Sequence, residues 1–281
     1  MQGRIIKNIS NDYTVQTKTG DVFVCKCRGK FRNMKIIPLV GDEVLFDEEN
    51  NYILEILPRK NELKRPPVSN ISQVMILTSV KHPNFSSYLL GLYCGVSNQP
   101  LYNCIEPIIC FTKLDLLNDE EMHEIETIMD YYKKIGYQVY RNTDLEQIKH
   151  IFQDKITVFT GQSGAGKSTL LNHLDAQLQL KTSEISYALG RGKHTTRHVE
   201  LIPLFGGLVA DTPGFSALDF EMDKASIRDQ FKEFEMYKEY CKYKDCMHDK
   251  EDHCMVKDKV EDGTILKSRY ENYIQFIRGD V

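Results

Sequence analysis

The sequence predicts a multidomain protein, with an all-β barrel at the N-terminus, a central α/β domain and a small helical domain at the C-terminus. Residues 1 to about 57 alternate apolar and polar side chains with the period of two that is typical of β-strands. From Val74 onward, short apolar segments alternate with helical segments, and from about Asp223 the chain is helical and charged. We therefore place the domains at residues 1–60, 61–222 and 223–281.

The composition is that of an ordinary globular protein, and it excludes several classes of function. Of the 281 residues, 41% are hydrophobic and 27% are charged, and the formal net charge is -4. This charge argues against an extended basic surface, so contact with nucleic acid is expected from local patches. No stretch approaches the roughly 18 apolar residues of a membrane helix, and the first residues lack the apolar core of a signal peptide. We expect a cytoplasmic monomer that does not bind a membrane.

The N-terminal domain is predicted to contain five short strands, separated by turns that are rich in glycine and asparagine. Five strands in fewer than 60 residues suit a small closed barrel of the OB type. The segment 60–70, which contains Pro66 and Pro67, is predicted to be an extended connector.

A basic segment of the barrel surrounds Phe31 and is a candidate RNA-binding surface, because OB barrels bind nucleic acid through phosphate charge and base stacking. The alternative is a solvated strand edge that lysines protect against pairing with other strands. The candidate RNA-binding residues are Lys26, Arg28, Lys30, Arg32 and Lys35.

The α/β domain contains a complete phosphate-binding loop. Residues 161–168 match G-x-x-x-x-G-K-[ST], a predicted strand precedes them, and a predicted helix follows. In such a loop the backbone N–H groups surround the phosphates at a helix N-terminus. Lys167 is expected to bind the β- and γ-phosphates, and Ser168 is expected to bind Mg²⁺. The predicted nucleotide-binding residues of this segment are Gly161, Gln162, Ser163, Gly164, Ala165, Gly166, Lys167, Ser168 and Thr169.

Two further motifs narrow the predicted ligand from a nucleoside triphosphate to GTP. Asp211 to Gly214 (DTPG) fits D-x-x-G, in which the aspartate faces Mg²⁺ and the glycine N–H faces the γ-phosphate. Thr112, Lys113, Leu114 and Asp115 fit N/T-K-x-D, in which the aspartate accepts hydrogen bonds from the guanine ring. Adenine offers no such paired donors, so Asp115 is the predicted selectivity residue. Threonine replaces the usual asparagine at position 112, which predicts a lower guanine affinity.

The order of the motifs indicates a circular permutation. In an ordinary small GTPase the phosphate loop comes first and N-K-x-D comes last, whereas here TKLD begins at Thr112 and DTPG begins at Asp211. The same sheet can be built if the chain is cut after D-x-x-G and the old ends are joined. The D-x-x-G segment then continues directly into the C-terminal domain.

The C-terminal domain contains a predicted structural zinc site. Zinc prefers tetrahedral sulfur and nitrogen ligands, and a closed set of three cysteines and one histidine is structural. His253 is a rival ligand, but it adjoins a cysteine of the set, and neighbouring residues rarely both bind one metal. The alternative is chance clustering. The predicted ligands are Cys241, Cys246, His248 and Cys254.

The phosphate loop, the segment 190–198 (GRGKHTTRH), the DTPGFS run and the connector RPPVSN resemble the RsgA family, also called YjeQ or YloQ. The resemblance spans essentially the whole chain. It implies an OB domain, a circularly permuted GTPase domain and a zinc domain. It also implies GTP hydrolysis that depends on the small ribosomal subunit and its rRNA, in late maturation of that subunit. Its Mg²⁺-binding threonine would be Thr196 or Thr195, and we favour Thr196.

The water-activating group is the least defined part of the predicted site. Phe215 follows D-x-x-G where Ras-type enzymes carry glutamine, so intrinsic hydrolysis is expected to be slow. His194 is the candidate catalytic side chain, ahead of His198, although either could be a solvated loop residue or an RNA contact. An alternative function is an RNA-binding module with negligible turnover. A P-loop kinase is disfavoured, since it would not explain TKLD.

Overall fold

A computed structural model describes residues 1–27, 31, 36–64, 67–97, 105–175, 199–211 and 223–279. The first five strands close into a barrel, because β1 pairs with β2 on one side and with β4 on the other. The circuit is completed by pairing of β2 with β3, β3 with β5, and β5 with β4. The predicted OB-type barrel is therefore confirmed. Its strands are β1 (Gln2–Ile9), β2 (Asp12–Gln16), β3 (Val22–Cys27), β4 (Glu43–Asp47) and β5 (Tyr52–Ile56).

The segment that follows the barrel does not run as the single extended connector that the sequence predicts, because β6 (Glu62–Lys64) and β7 (Pro67–Ser69) pair into a small antiparallel sheet. The buried carboxylate of Asp42 fixes this segment to the barrel. It accepts two hydrogen bonds from Arg59, of 2.7 and 2.8 Å, and one of 2.6 Å from the Ser69 hydroxyl. The connector is thus packed on the barrel and is not a free linker.

The central domain is built on a sheet with the strand order β10-β9-β8-β11-β13-β12. The first five strands of this order are mutually parallel, and only β12 is antiparallel to its neighbour. Buried apolar side chains cover both faces of the sheet, as the continuous apolar character of these strands predicts. The strands are β8 (Gln73–Ser79), β9 (Glu106–Thr112), β10 (Gln138–Arg141), β11 (Ile156–Gly161), β12 (Glu200–Leu204) and β13 (Gly207–Asp211).

Four described helices flank this sheet. The longest has a complete capping box: the Asn118 side chain accepts from the Glu121 N–H, and the Glu121 carboxylate accepts from the Asn118 N–H. Acidic residues in its first turn and lysines in its last turn match the helix dipole. The helices are α1 (Ser87–Ser97), α2 (Asp119–Lys134), α3 (Leu145–His150) and α4 (Lys167–Leu174).

The barrel extends the central sheet, because β1 pairs with the outer strand β12 at Lys7 and Glu200. The two side chains also form an ion pair of 2.7 Å. The contact joins the barrel to the hairpin of β12 and β13, which precedes the D-x-x-G motif in the sequence.

The C-terminal domain is helical and packs on the central domain mainly through its last helix, which contacts α1. Its apolar core contains Phe231, Phe234, Tyr273 and Phe276. In the part of the chain that the structure describes, no helix is both long enough and apolar enough to cross a membrane. The helices are α5 (Lys224–Arg228), α6 (Lys232–Glu235), α7 (Met255–Glu261) and α8 (Lys267–Arg278).

Candidate nucleotide and metal sites

The phosphate loop has the backbone shape that its glycines predict. Gly161 ends β11, and a Cβ atom at this position would collide with the Leu77 carbonyl oxygen. Gly164 and Gly166 have φ angles of 77° and 92°, which favour glycine, and α4 begins directly after them at Lys167. The loop therefore places backbone N–H groups at a helix N-terminus, as an anion site requires.

The two side chains predicted to act on the phosphates lie at the start of α4. The Lys167 ammonium donates a hydrogen bond of 2.9 Å to the Gly161 carbonyl, and burial lowers the pKa of this lysine. Ser168 is buried at the same helix end. An ammonium that is partly withdrawn from water gains strongly from a nearby phosphate, so this position suits the predicted role of Lys167.

Thr112 connects the guanine motif to the phosphate loop. Its hydroxyl donates a hydrogen bond of 2.7 Å to the Ala165 carbonyl, and its side chain is buried. A Cβ atom on Gly166 would lie 3.7 Å from the Thr112 hydroxyl, so the two loops are in direct contact. The threonine that departs from the usual asparagine therefore holds the two motifs together.

Asp115 lies in a single 3-10 turn, Leu114–Leu116, directly after β9. The buried side chain of Leu114 anchors the turn, while Asp115 is exposed and able to meet a ligand. Beside this turn, the Asn142 N–H donates to the Phe111 carbonyl at 2.9 Å, and the Arg141 N–H donates to the Asp144 carboxylate at 2.8 Å. Residues 141–143 thus adjoin the guanine motif, and the resemblance to the RsgA family implies that the fifth GTPase motif falls near them, although the sequence there carries no clear signature of it.

Asp211 is the last residue of β13, which runs parallel to β11. Since the carboxyl ends of parallel strands meet at one edge, Asp211, the phosphate loop and TKLD share that edge of the sheet.

Several predicted residues lie outside the described residues. They are Arg28, Lys30, Arg32, Lys35, His194, Thr195, Thr196, His198, Gly214 and Phe215.

Lys26 is the member of the basic segment that the structure describes. It lies on β3, is exposed, and pairs in the sheet with Asp12 of β2 and Tyr52 of β5. Phe31 is buried in the barrel core, so its ring is not available for stacking on a base. The candidate RNA-binding surface therefore depends on the charge of its basic residues and not on stacking by Phe31.

The four predicted zinc ligands converge in the C-terminal domain. Their ligand atoms, from Cys241, Cys246, His248 and Cys254, all lie within 4.8 Å of one another. The His248 Nδ1 atom is 3.3 Å from the Cys254 Sγ and 3.6 Å from the Cys241 Sγ. A tetrahedron with Zn–S bonds of about 2.3 Å has edges of about 3.8 Å, so these spacings fit zinc.

The surroundings of the cluster also suit a metal. Burial lowers the pKa of His248 to about 4, which keeps the imidazole neutral, and burial raises the pKa of Cys254 to about 12. Metal binding would supply the energy that removes the thiol protons. The His248 backbone is fixed by a hydrogen bond of 2.7 Å from the Tyr270 hydroxyl to its carbonyl. The residues present therefore fit a structural zinc ion, and His253 is not in the cluster.

The sheet, the phosphate loop and the position of TKLD before it define a circularly permuted P-loop GTPase. Family models described as the RsgA GTPase and the RsgA N-terminal domain match residues 56–221 and 2–53. The chain belongs to the RsgA family and is a GTP hydrolase.

Relatives and solved structures agree over nearly the full length. The chain is 52% identical to the small ribosomal subunit biogenesis GTPase RsgA of Enterococcus faecalis, over 99% of this chain and 94% of that protein. It is 45% identical to the protein of the same name in Bacillus subtilis, over 98% and 96% of the two chains. The crystal structure of YloQ, a circularly permuted GTPase, has a TM-score of 0.82 at 39% identity and covers 99% of this chain and 94% of that chain. The crystal structure of YjeQ from Thermotoga maritima has a TM-score of 0.84 at 32% identity, and the match covers 99% of this chain and 97% of that chain.

Proposed function

We propose that this chain is a biogenesis factor of the small ribosomal subunit, which binds the subunit in its GTP form and leaves it after hydrolysis to GDP. The observation that carries the proposal is similarity through all three domains to relatives that are named for this function. A shared GTPase domain alone would support only nucleotide hydrolysis. Similarity in the barrel and the zinc domain extends the argument to the surfaces that such a factor presents to its partner.

The nucleotide site comprises the phosphate loop, TKLD and D-x-x-G. Lys167 binds the β- and γ-phosphates, Ser168 binds Mg²⁺ together with a threonine of the 190–198 segment, and Asp211 faces the ion. We assign Thr196 to this role in preference to Thr195. The hydrogen bond from Thr112 to Ala165 supports a single nucleotide site, because it places the guanine motif and the phosphate loop side by side.

Asp115 determines the selectivity for guanine. Its carboxylate accepts from the ring N–H and the exocyclic amine, and the exposed position of Asp115 supports this role. Replacing Asp115 by asparagine is expected to weaken GTP binding and to favour the xanthine nucleotide, whose C2 oxygen suits an amide donor. Calorimetry that gave unchanged GTP affinity in Asp115→Asn would remove Asp115 from this role.

The basic segment of the barrel contacts rRNA through phosphate charge, with Lys26, Arg28, Lys30, Arg32 and Lys35 as its residues. The exposed position of Lys26 on β3 supports this role. The factor acts as a cytoplasmic monomer, with the three domains at residues 1–60, 61–222 and 223–281.

The binding part of the proposal is tested by co-sedimentation with purified small subunits. We expect tight binding with a non-hydrolysable GTP analogue and weak binding with GDP, because release on hydrolysis requires unequal affinity of the subunit for the two forms. The Asp115→Asn variant with the guanine analogue is the control, since its subunit-binding surfaces are intact. Equal sedimentation in the two nucleotide states would contradict the proposal.

A further inference from the structure

The loop between β8 and α1 (residues 80–86) lies at the same edge of the sheet as the nucleotide motifs. The other described parallel strands end there at TKLD, at residues 141–143, at the phosphate loop and at Asp211, whereas β8 ends in a loop to which the sequence analysis gives no role. His82 in this loop has a left-handed backbone, with a φ angle of 50°. Such a conformation is uncommon outside glycine and requires support from its surroundings.

The loop contacts both halves of the nucleotide site. The His82 carbonyl accepts a hydrogen bond from the Lys113 ammonium of the guanine motif, and Lys113 also has a left-handed backbone, with φ of 62°. On the other side, a Cβ atom at Gly164 of the phosphate loop would lie 3.7 Å from Pro83 Cδ and 4.0 Å from the His82 carbonyl oxygen. His82 and Pro83 thus lie between two segments that are predicted to hold different ends of one nucleotide.

Lys81 fixes this loop to the turn that carries Asp115. Its ammonium forms an ion pair of 2.6 Å with Glu121 at the start of α2, and it donates a hydrogen bond of 3.1 Å to the Leu116 carbonyl. The Lys81 carbonyl in turn accepts a hydrogen bond of 2.6 Å from the buried Ser79 hydroxyl at the end of β8. Lys81 therefore links β8, the Asp115 turn and α2.

We propose that residues 81–83 are a positioning element for the guanine nucleotide. Lys81 holds the loop, and the His82 carbonyl holds the Lys113 ammonium, so Lys113 and the turn of Asp115 are ordered before the nucleotide arrives. A site ordered in advance loses less conformational freedom on binding and therefore holds its ligand longer. The inference deepens the proposed function, because it rests on the assignment of Lys113, Asp115 and Gly164 to the nucleotide site.

The experiment measures the release rate of a fluorescent GDP analogue from the full chain and three variants. Lys81→Met removes the ammonium, and Lys81→Arg restores a cation at the same place. Lys133→Met is the control, because it removes an exposed ion pair with Asp130 in the last turn of the same helix α2. We expect Lys81→Met to release GDP at least about fivefold faster, a change on the scale of one hydrogen bond. Lys81→Arg should recover part of this change, and Lys133→Met should stay within about twofold of the parent.

Two further readouts separate positioning from a purely structural role. The KM for GTP should rise by a similar factor in Lys81→Met, and adding Glu121→Gln should change the release rate little further, because both variants break the same ion pair. Release at the parental rate from folded Lys81→Met, or a loss confined to kcat, would overturn the proposal. If the parent chain itself failed to bind the GDP analogue, the nucleotide-site assignment would fall with it.

Discussion

The Thr112 hydroxyl donates a hydrogen bond of 2.7 Å to the carbonyl oxygen of Ala165, across 53 positions of the chain. Thr112 ends the strand that leads into the guanine motif, and Ala165 lies in the phosphate loop. The bond is buried, so water cannot replace a lost partner, and removing either group leaves the other unsatisfied at a cost in free energy. It connects recognition of the base to recognition of the phosphates.

Removing this hydroxyl should weaken guanine nucleotide binding. Thr112→Val keeps the shape of the side chain but leaves the Ala165 carbonyl without its donor, and we expect an affinity loss of about fivefold to tenfold, near 1 to 1.4 kcal/mol. Thr112→Ser retains the hydroxyl and is the matched control. Titration with a fluorescent GDP analogue measures both, and parental affinity in Thr112→Val would show that the bond has no part in binding.

Two glycines of the barrel offer a matched test of backbone packing. Gly41 and Gly20 have similar φ angles of 99° and 95°, but a Cβ atom on Gly41 would overlap the Ser69 carbonyl, whereas one on Gly20 would meet nothing within 4 Å. Gly20→Ala should cost only the backbone strain, about 1 kcal/mol of unfolding free energy. Gly41→Ala should cost clearly more, about 3 kcal/mol, because the connector must also move. Denaturant unfolding of the two variants decides the point, and equal losses would disprove the close contact.

A buried ion pair of the C-terminal domain lies against helix α2 of the central domain. Arg269 of α8 makes two hydrogen bonds to Glu233, of 2.7 and 3.0 Å, and its guanidinium lies 5.4 Å from the ring centroid of Tyr132 on α2. Glu233→Gln leaves a buried guanidinium uncompensated, so we expect a loss of about 3 to 5 kcal/mol in unfolding free energy. Asp130→Asn, which breaks an exposed pair, should cost under about 1 kcal/mol. Thermal unfolding measures both, and similar small losses would contradict the account.

The zinc cluster predicts one equivalent of zinc per chain. Cys246→Ser removes a buried ligand and should abolish stoichiometric zinc and loosen the C-terminal core, which packs around the cluster. His253→Ala should retain full zinc, because His253 is not in the cluster although it adjoins Cys254. Metal analysis of protein purified without chelator measures the content. Full occupancy in Cys246→Ser would contradict the assignment, as would loss of zinc in His253→Ala.

The strands of the N-terminal barrel and of the central sheet could be predicted from the sequence. Alternation with period two indicates the half-buried strands of the barrel, and continuous apolar runs indicate the fully buried strands of the central sheet. The phosphate loop and the four metal ligands were equally predictable, because each is a short motif whose spacing is fixed by its chemistry. The structure confirms a strand at each nucleotide motif, because β9 ends at Thr112, β11 ends at Gly161 and β13 ends at Asp211.

Contacts between distant segments could not be predicted in this way. The pairs Lys81 with Glu121 and Arg269 with Glu233 join residues 40 and 36 positions apart, and charged residues without a motif carry no signal of their partners. The contact between the connector and the barrel could not be predicted either. Pro66 and Pro67 predicted an extended chain, but its attachment to Asp42 depends on where the barrel places that buried carboxylate.

The central claim is that GTP hydrolysis by this chain depends on the small ribosomal subunit. Phe215 follows D-x-x-G and cannot orient a water molecule, so the free protein should turn over slowly until a partner completes the site. Lys167→Ala should abolish turnover in either condition and controls for contaminating hydrolases.

The most direct test is the rate of GTP turnover titrated with purified small subunits. We expect a saturable rise of at least about tenfold, which corresponds to roughly 1.4 kcal/mol off the activation barrier. A turnover rate that purified small subunits leave unchanged would contradict it.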